Sequence, residues 1–392
     1  MRRGQSSRFP LLILFLVVIA AGYFLLRDRQ STNTEEGSTV TGSPYSNETE
    51  EQREDSSRNL FRRILKDTGT IFTADIEVFF SNTYSNTPAI AEADPYNIDR
   101  QLTLLLATAV DEIDCAVFEL ESSRIAEALI AAKERGVRVR IVAESDYIGN
   151  REMQQLIIAG IPVVGDERSA FMHNKFFVID RSTVWTGSYN ATDNGAWKNN
   201  NNGVVIRSRE IAENYLTEFE EMFVDKAFGP RSPSNTPHTL VKLPEGDIYN
   251  YFAPEDDVAA KILRFVKLAK ERIRFLAFSI TDDDLGDLLV EKKREGIDIA
   301  GIIETRGSGL LHSELGKLRA AGIDVRTDGN RYSMHHKVII VDTIWTIVGS
   351  FNFTANAARS NDENVLIIKN PEIARKFQEE YERIAISAQP AP

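Results

Sequence analysis

The 392-residue chain is 42% hydrophobic and 27% charged, enough to bury a sizeable core, and its length fits two domains or one domain built from two similar halves. Its formal net charge of −12 argues against a broad basic footprint for nucleic acid; residues 1–27 carry +4 and 28–57 carry −6, so the remaining body keeps −10. The single cysteine, Cys115, lies in an apolar run, which excludes an intrachain disulfide framework and reads as a small buried core residue.

The chain opens with Arg2, Arg3 and Arg8 ahead of an apolar run from Phe9 to Leu26. At a helical rise of 1.5 Å per residue that run spans roughly 27 Å, enough for a thin hydrocarbon core. Residues 1–27 are therefore expected to be a signal anchor or a signal peptide; the length and the bulky Tyr23-Phe24-Leu25-Leu26 ending favour the anchor. The basic flank stays cytoplasmic, so the body is expected to be extracytoplasmic and membrane-anchored, or secreted if the segment is cleaved. Residues 28–69 are expected to form a flexible acidic tether, because 28–58 are rich in Ser, Thr, Asn and Glu and cannot offset their ordering entropy by burial. Asn47-Glu48-Thr49 is a formal glycosylation sequon.

An internal repeat follows. Ile113–Val137 (IDCAVFELESSRIAEALIAAKERGV) parallels Ile273–Ile297 (IRFLAFSITDDDLGDLLVEKKREGI). Each begins as a strand, passes a polar cap at Ser122 or Thr281, continues as a helix and stops at Gly136 or Gly296, where a left-handed residue is needed. A second strand follows in each, and Ala159-Gly160-Ile161 recurs as Ala321-Gly322-Ile323. The period is too long for a solenoid and indicates duplication. The expected halves are 70–225 and 248–388, joined by a Pro-rich linker at 226–247. The fold class is α/β: two similar halves, each a mixed sheet flanked by helices, packed about a pseudo-twofold axis. Phe79-Phe80 and Tyr251-Phe252 read as first or edge strands of the halves, and Trp185 and Trp345 as packing residues.

The chemistry-bearing residues obey the same repeat. His173-Asn174-Lys175, Asp180 and Gly187-Ser188-Tyr189-Asn190 recur as His335-His336-Lys337, Asp342 and Gly349-Ser350-Phe351-Asn352, all at an offset of 162. If the flanking stretches are strands, His173 and Lys175 share a face, as do His335 and Lys337. Asp180 and Asp342 have the opposite parity and suit structural hydrogen bonding. Two imidazoles, two ammoniums, two hydroxyls and two amides at one point suit a phosphodiester: one histidine can attack phosphorus while the other protonates the leaving oxygen. No Cys/His/carboxylate cluster has metal-ligand spacing, so neither metal nor cofactor is expected. His336, His238 and His312 read as ordinary satisfied core histidines, and Arg306 with Gly307-Ser308-Gly309 as a surface loop.

The doubled HxKxxxxD and GSxN elements resemble the phospholipase D superfamily over roughly residues 70–385. The resemblance implies metal-independent phosphodiester chemistry through a phosphohistidine. It implies His173 as nucleophile and His335 as general acid, then base. It also implies Lys175, Lys337, Ser188, Ser350, Asn190 and Asn352 as phosphate ligands. Where related enzymes place a carboxylate that orients a histidine across the halves, the second half has Glu363 and the first has Asn201; Glu363 is expected to support His173. Phospholipid is the expected substrate, an endonuclease on DNA or RNA the alternative, and phosphatidyl transfer a third reading. Both half-sites lie on one chain, so no oligomer is required.

Overall fold

The computed structural model describes residues 74–83, 87–306 and 312–390. The expected membrane segment 1–27, the tether 28–69, the sequon and Gly307-Ser308-Gly309 lie outside the described residues. Among the described residues no helix is long and apolar enough to cross a membrane.

The first half opens with strand β1 (Ile76–Phe80) and helices α1 (Pro88–Ala93) and α2 (Ile98–Ala107). There follow β2 (Glu112–Val117), α3 (Ser123–Glu134), β3 (Arg138–Ala143), α4 (Arg151–Ile158) and β4 (Val163–Gly165), the three strands lying parallel. Then β5 (Lys175–Ile179), β6 (Thr183–Gly187), the short α5 (Asp193–Trp197), β7 (Asn202–Arg207) and α6 (Arg209–Glu220) complete it. The resulting sheet has the order β1-β7-β6-β5-β2-β3-β4, antiparallel from β1 to β2.

The second half repeats the plan. Its elements are β8 (Leu240–Leu243), β9 (Gly246–Ala253), α7 (Val258–Val266), β10 (Arg272–Ala277), α8 (Asp283–Arg294) and β11 (Asp298–Ile303). After them come α9 (Leu315–Ala320), β12 (Asp324–Thr327), β13 (Lys337–Val341) and β14 (Trp345–Gly349). Last are α10 (Ala355–Arg359), β15 (Glu363–Lys369), α11 (Pro371–Ala385) and β16 (Gln389–Pro390). The sheet order is β16-β12-β11-β10-β13-β14-β15-β9-β8. The fold is mixed α/β, two mixed sheets flanked by helices.

Local chemistry explains the element boundaries. Ser122 caps α3 by accepting from the Ile125 amide. In the second half the cap is Asp282 rather than Thr281: the Asp282 carboxylate accepts from Leu285 N at 2.8 Å, and an ionised acceptor suits the orphan amides of a helix start. Gly136 (φ 94°) and Gly296 (φ 92°) take the left-handed conformation where α3 and α8 stop. The stretch 226–247 is not a bare linker, because β8 pairs with β9 within it. Consequently β1 is an edge strand of its sheet, whereas β9 lies between β15 and β8. Trp185 and Trp345 are not register equivalents: Trp185 opposes Phe177 and stacks on Phe79, while Trp345 opposes Val341 and packs edge-on against Phe265.

Strands β5 (KFFVI) and β13 (KVIIV) are buried along their whole length, as apolar runs covered on both faces are. Helices α6 and α11 each pack on their own sheet and also reach the other, α6 at β9 and α11 at β1. One continuous apolar core therefore spans both halves, with Tyr215 packed between Phe176 and Phe252 and Phe80 against Phe377. Two bridges sew the halves together, Met172 to Asp362 and Asn200 to Met334. They interchange under the 162-residue offset, which is the reciprocity a twofold interface requires.

Candidate functional site

Strands β5 and β13 begin at Lys175 and Lys337, so the histidines lie on the segments running into the strands rather than on them. Those segments are held by both halves. His173 N donates to Asp362 O at 2.9 Å, and His335 N donates to Asn200 O at 2.9 Å. One residue earlier, Met172 N donates to Glu144 Oε2 and Met334 N to Glu304 Oε2. One residue later, Asn174 bridges Glu218 and Asn364, and His336 bridges Glu380 and Asn202. Asn202 Nδ2 donates to His336 Nδ1 at 2.8 Å, so His336 donates through Nε2 to Glu380; it is a satisfied core histidine. Lys337 Nζ returns to His335 O at 2.8 Å, Lys175 Nζ makes the same contact with His173 O, and the ammoniums lie over Phe278 and Phe118 respectively.

Each catalytic candidate ring is oriented from across the seam. His173 Nδ1 lies 2.7 Å from Glu363 Oε2. His335 Nδ1 lies 2.9 Å from Asn201 Oδ1 and 3.0 Å from Ser188 O. The Asn201 amide has one orientation available, because its Nδ2 donates to Gly195 O and its Oδ1 accepts from Ser188 Oγ. Both acceptors facing His335 are carbonyl oxygens, so its proton sits on Nδ1 and leaves Nε2 free. Glu363 imposes the same tautomer on His173.

The serines do not fit the expected role of phosphate ligands. Ser188 and Ser350 are fully buried; Ser350 Oγ donates to Glu363 Oε2 and accepts from Asn364 N, and Ser188 Oγ does the same with Asn201 and Asn202. With donor and acceptor capacity both used, each serine fixes the group that orients a histidine. Asn190 and Asn352 are half-buried, and each has a buried Oδ1 without a partner. Asp180 accepts from the amides of Val110, Asp111 and Glu112, and Asp342 from those of Lys270, Glu271 and Arg272, so these carboxylates stitch chain behind the site.

Burial sets the electrostatics. His173 is lowered to about 4 by burial, with Glu363 opposing and Lys175 and Lys337 adding to the shift. His335 is pushed well below its ordinary value by burial and then by Lys337, Lys175 and His173. Lys175 is lowered to about 7 by burial, against the pull of Glu363, Glu119 and Glu144. Lys337 is lowered well below its ordinary value by burial and by Lys175, with Glu363 opposing. Burial works against the charge of Glu363, yet His173, Lys175 and Ser350 outweigh it and hold the carboxyl below its usual range. Burial thus disfavours positive charge on all four basic groups, and Glu363 is the carboxylate that faces both lysines, so the centre gains its full charge when an anion enters.

Several contributors escaped the sequence reading: Glu144 and Glu304, Glu218 and Glu380, Asn202 and Asn364, and Phe118 and Phe278. Each pair repeats at an offset of 160 or 162, which is the signal that could have found them. The aromatic pair walls the histidines, Phe118 4.8 Å from His173 and Phe278 5.1 Å from His335 between ring centroids. Phe171, 43% exposed, and Phe278, 36% exposed, reach the surface beside them.

The chain is 37% identical over 125 residues to a mitochondrial cardiolipin hydrolase of Mus musculus, covering 32% of this chain and 57% of the relative. It is 28% identical to a phospholipase D of Rickettsia felis over 41% of this chain and 80% of the relative. The chain spans little more than half the length of the cardiolipin hydrolases it matches. A crystal structure of phosphatidylserine synthase from Haemophilus influenzae shares the fold at a TM-score of 0.59 and 14% identity, over 80% of this chain and 87% of that one. The family model described as cardiolipin synthase, phospholipase D-like domain, matches residues 102–223 and again 262–385. With one match in each half, the chain belongs to the phospholipase D-like family.

Proposed function

We propose that this chain is a metal-independent phosphodiesterase of the phospholipase D type that hydrolyses the head-group phosphodiester of phospholipids. The observation that supports it is the convergence of two His–Lys pairs, each histidine held at Nδ1 from the opposite half with Nε2 free. A phosphodiester supplies the missing negative charge between Lys175 and Lys337. Nε2 of His173 attacks phosphorus and forms the P–N bond as the P–O bond to the head group breaks. His335, protonated once the bound anion offsets the two ammoniums, gives its proton to the leaving oxygen. His335 then takes a proton from water, whose oxygen attacks phosphorus and releases His173. Lys175, Lys337, Asn190 and Asn352 hold the phosphate, and Glu363 steadies the imidazolium character of His173.

Lipid is favoured over polynucleotide by the aromatic rim at Phe118, Phe171 and Phe278, by the acidic body, and by relatives named as cardiolipin hydrolase and phospholipase D. The apolar run 9–26 and the acidic stretch after it would tether the body, extracytoplasmic, beside its substrate. A nuclease reading draws on Arg306, 67% exposed at its side chain and bonded to Ser333 near His335. Phosphatidyl transfer differs only in the second acceptor, an alcohol in place of water. The test is turnover in EDTA by the full chain, with phosphatidylcholine, phosphatidylethanolamine, cardiolipin and single-stranded DNA side by side. Lipid head-group release abolished by His173→Ala is the expected result. Cleavage of DNA alone sinks the lipid reading, and a phospholabelled adduct that survives His173→Ala but not His335→Ala reverses the two roles.

A further inference from the structure

The two half-sites differ at one position that faces the phosphate ligands. Glu119 follows β2 between Phe118 and Leu120, and its counterpart after β10, between Phe278 and Ile280, is Ser279. The bridges Leu120 to Ala191 and Ile280 to Phe353 confirm the register. Glu119 is half-buried, and its Oε2 lies 3.4 Å from Asn190 Nδ2. Asn190 Oδ1 is itself buried and unpartnered. The corner thus presents a carboxylate and an orphan carbonyl oxygen, two acceptors, beside Lys175. Phe118 closes it on one side, with Tyr147 at 5.0 Å and Phe171 at 5.3 Å from the Phe118 ring.

A carboxylate next to a phosphate-binding lysine repels a phosphodiester unless the substrate brings its own positive charge. A second phosphate nearby, as in a polynucleotide or cardiolipin, would be opposed twice. A buried orphan acceptor, for its part, needs a hydrogen-bond donor. A primary ammonium meets both demands, donating to Glu119 and to Asn190 Oδ1 while its charge faces the aromatic wall.

We infer that Glu119 and Asn190 form a recognition corner for a primary ammonium group, making Glu119 a specificity-determining residue for aminoalkyl phosphodiesters of the ethanolamine type. The inference rests on the phosphodiesterase reading of the centre. Glu119 touches the substrate's charged end and takes no part in bond breaking. Serine at the matching position of the second half leaves that side without a charge preference.

The experiment compares the full chain with Glu119→Gln and Glu119→Ser on mixed micelles carrying phosphatidylethanolamine, phosphatidylcholine or phosphatidylglycerol. The wild type is expected to prefer the ethanolamine lipid over the glycerol lipid in kcat/KM by roughly tenfold or more, and both variants to lose that preference. Thermal stabilisation by glycerophosphoethanolamine and by glycerophosphoglycerol is read on the same proteins, so recognition is scored without turnover. If the wild type is stabilised selectively by the ethanolamine compound and hydrolyses no lipid, the lipase reading fails and the corner stands. An unchanged head-group ratio in Glu119→Gln, or equal stabilisation by the two compounds, overturns the inference. So does a variant whose pH profile alone moves, since Glu119 would then only support the charge of Lys175.

Discussion

At the residue scale the two histidines are unequal because their Nδ1 partners are. Glu363 is an anion and Asn201 a neutral amide: burial lowers both histidines, opposed by the Glu363 carboxylate at His173 and by the neutral Ser188 carbonyl at His335. A histidine with a carboxylate partner can carry the positive charge that develops when its Nε2 bonds phosphorus, whereas one held by carbonyl oxygens gives up a proton readily. Replacing Glu363 with Gln removes that compensation and is expected to lower kcat about 100-fold or more, with little change in the thermal midpoint. Asn201→Asp places an anion beside His335 and raises its pKa. Because His335 must be protonated to act as the acid, the alkaline limb of the pH–rate profile should move up by on the order of one unit. A limb that stays put would remove His335 from that role.

At the scale of elements, the strands are positioned by carboxylates at chain reversals. Asp180 and Asp342 sit just after β5 and β13 with left-handed φ of 49° and 55°, each gathering three consecutive amides that lead into β2 or β10. The clamp ties the strand that starts with Lys175 or Lys337 to the strand that ends one residue before Phe118 or Phe278. Truncating Asp180 to Ala leaves those amides without their acceptor and strains a left-handed backbone. It should cost about 1–3 kcal/mol in urea unfolding while the activity of the folded fraction persists. Asp180→Asn, which tolerates the left-handed region and keeps one acceptor, is expected to recover much of the loss.

At the scale of the whole molecule, the seam between the halves stores unequal charge. In the second half the buried Glu380 is matched by His336 and Arg383; the corresponding first-half positions are Glu218, Asn174 and Glu221. Glu255, Asp362 and Glu221 repel the charge of Glu218, and burial pushes Glu218 well up, Glu255 to about 8, and Glu221 and Asp362 to about 7. Folded-state values above the unfolded ones mean that the native state binds more protons. The stability these groups contribute is therefore present at low pH and lost as pH rises through about 7 to 8. The lowered histidines act oppositely up to their unfolded value near 6.5, and the lowered Lys175 and Lys337 act oppositely up to theirs near 10.5. Glu255→Gln removes one of the raised carboxylates, so its thermal midpoint should gain on that of the wild type as pH rises from 5.5 to 9; identical pH dependence in the variant would count against the account.

Much of the architecture was legible because duplication writes the same residues twice: the offset of 162 exposed both His–Lys pairs, both aspartates and the Glu363/Asn201 difference. Apolar runs ending at Gly136 and Gly296 located strands and helices, since periodicity and left-handed caps are local properties of the chain. Of the contacts between residues about 190 apart, Glu363 on His173 was expected from the family resemblance alone, and Asn364 on Asn174 was not foreseen. Glu363 on His173 and Asn364 on Asn174 exist only because β7 and β15 bring their ends to the opposite half's run-in segments. For the same reason the serines could be recognised as conserved-looking polar groups of a motif, but their true acceptors appeared only once β6 and β7, and β14 and β15, were side by side. The sequence by itself thus determined which residues carry charge, protons and apolar surface. Tertiary structure alone decided which of them share a buried environment, and burial is what turns four ordinary basic side chains into a centre that needs an anion.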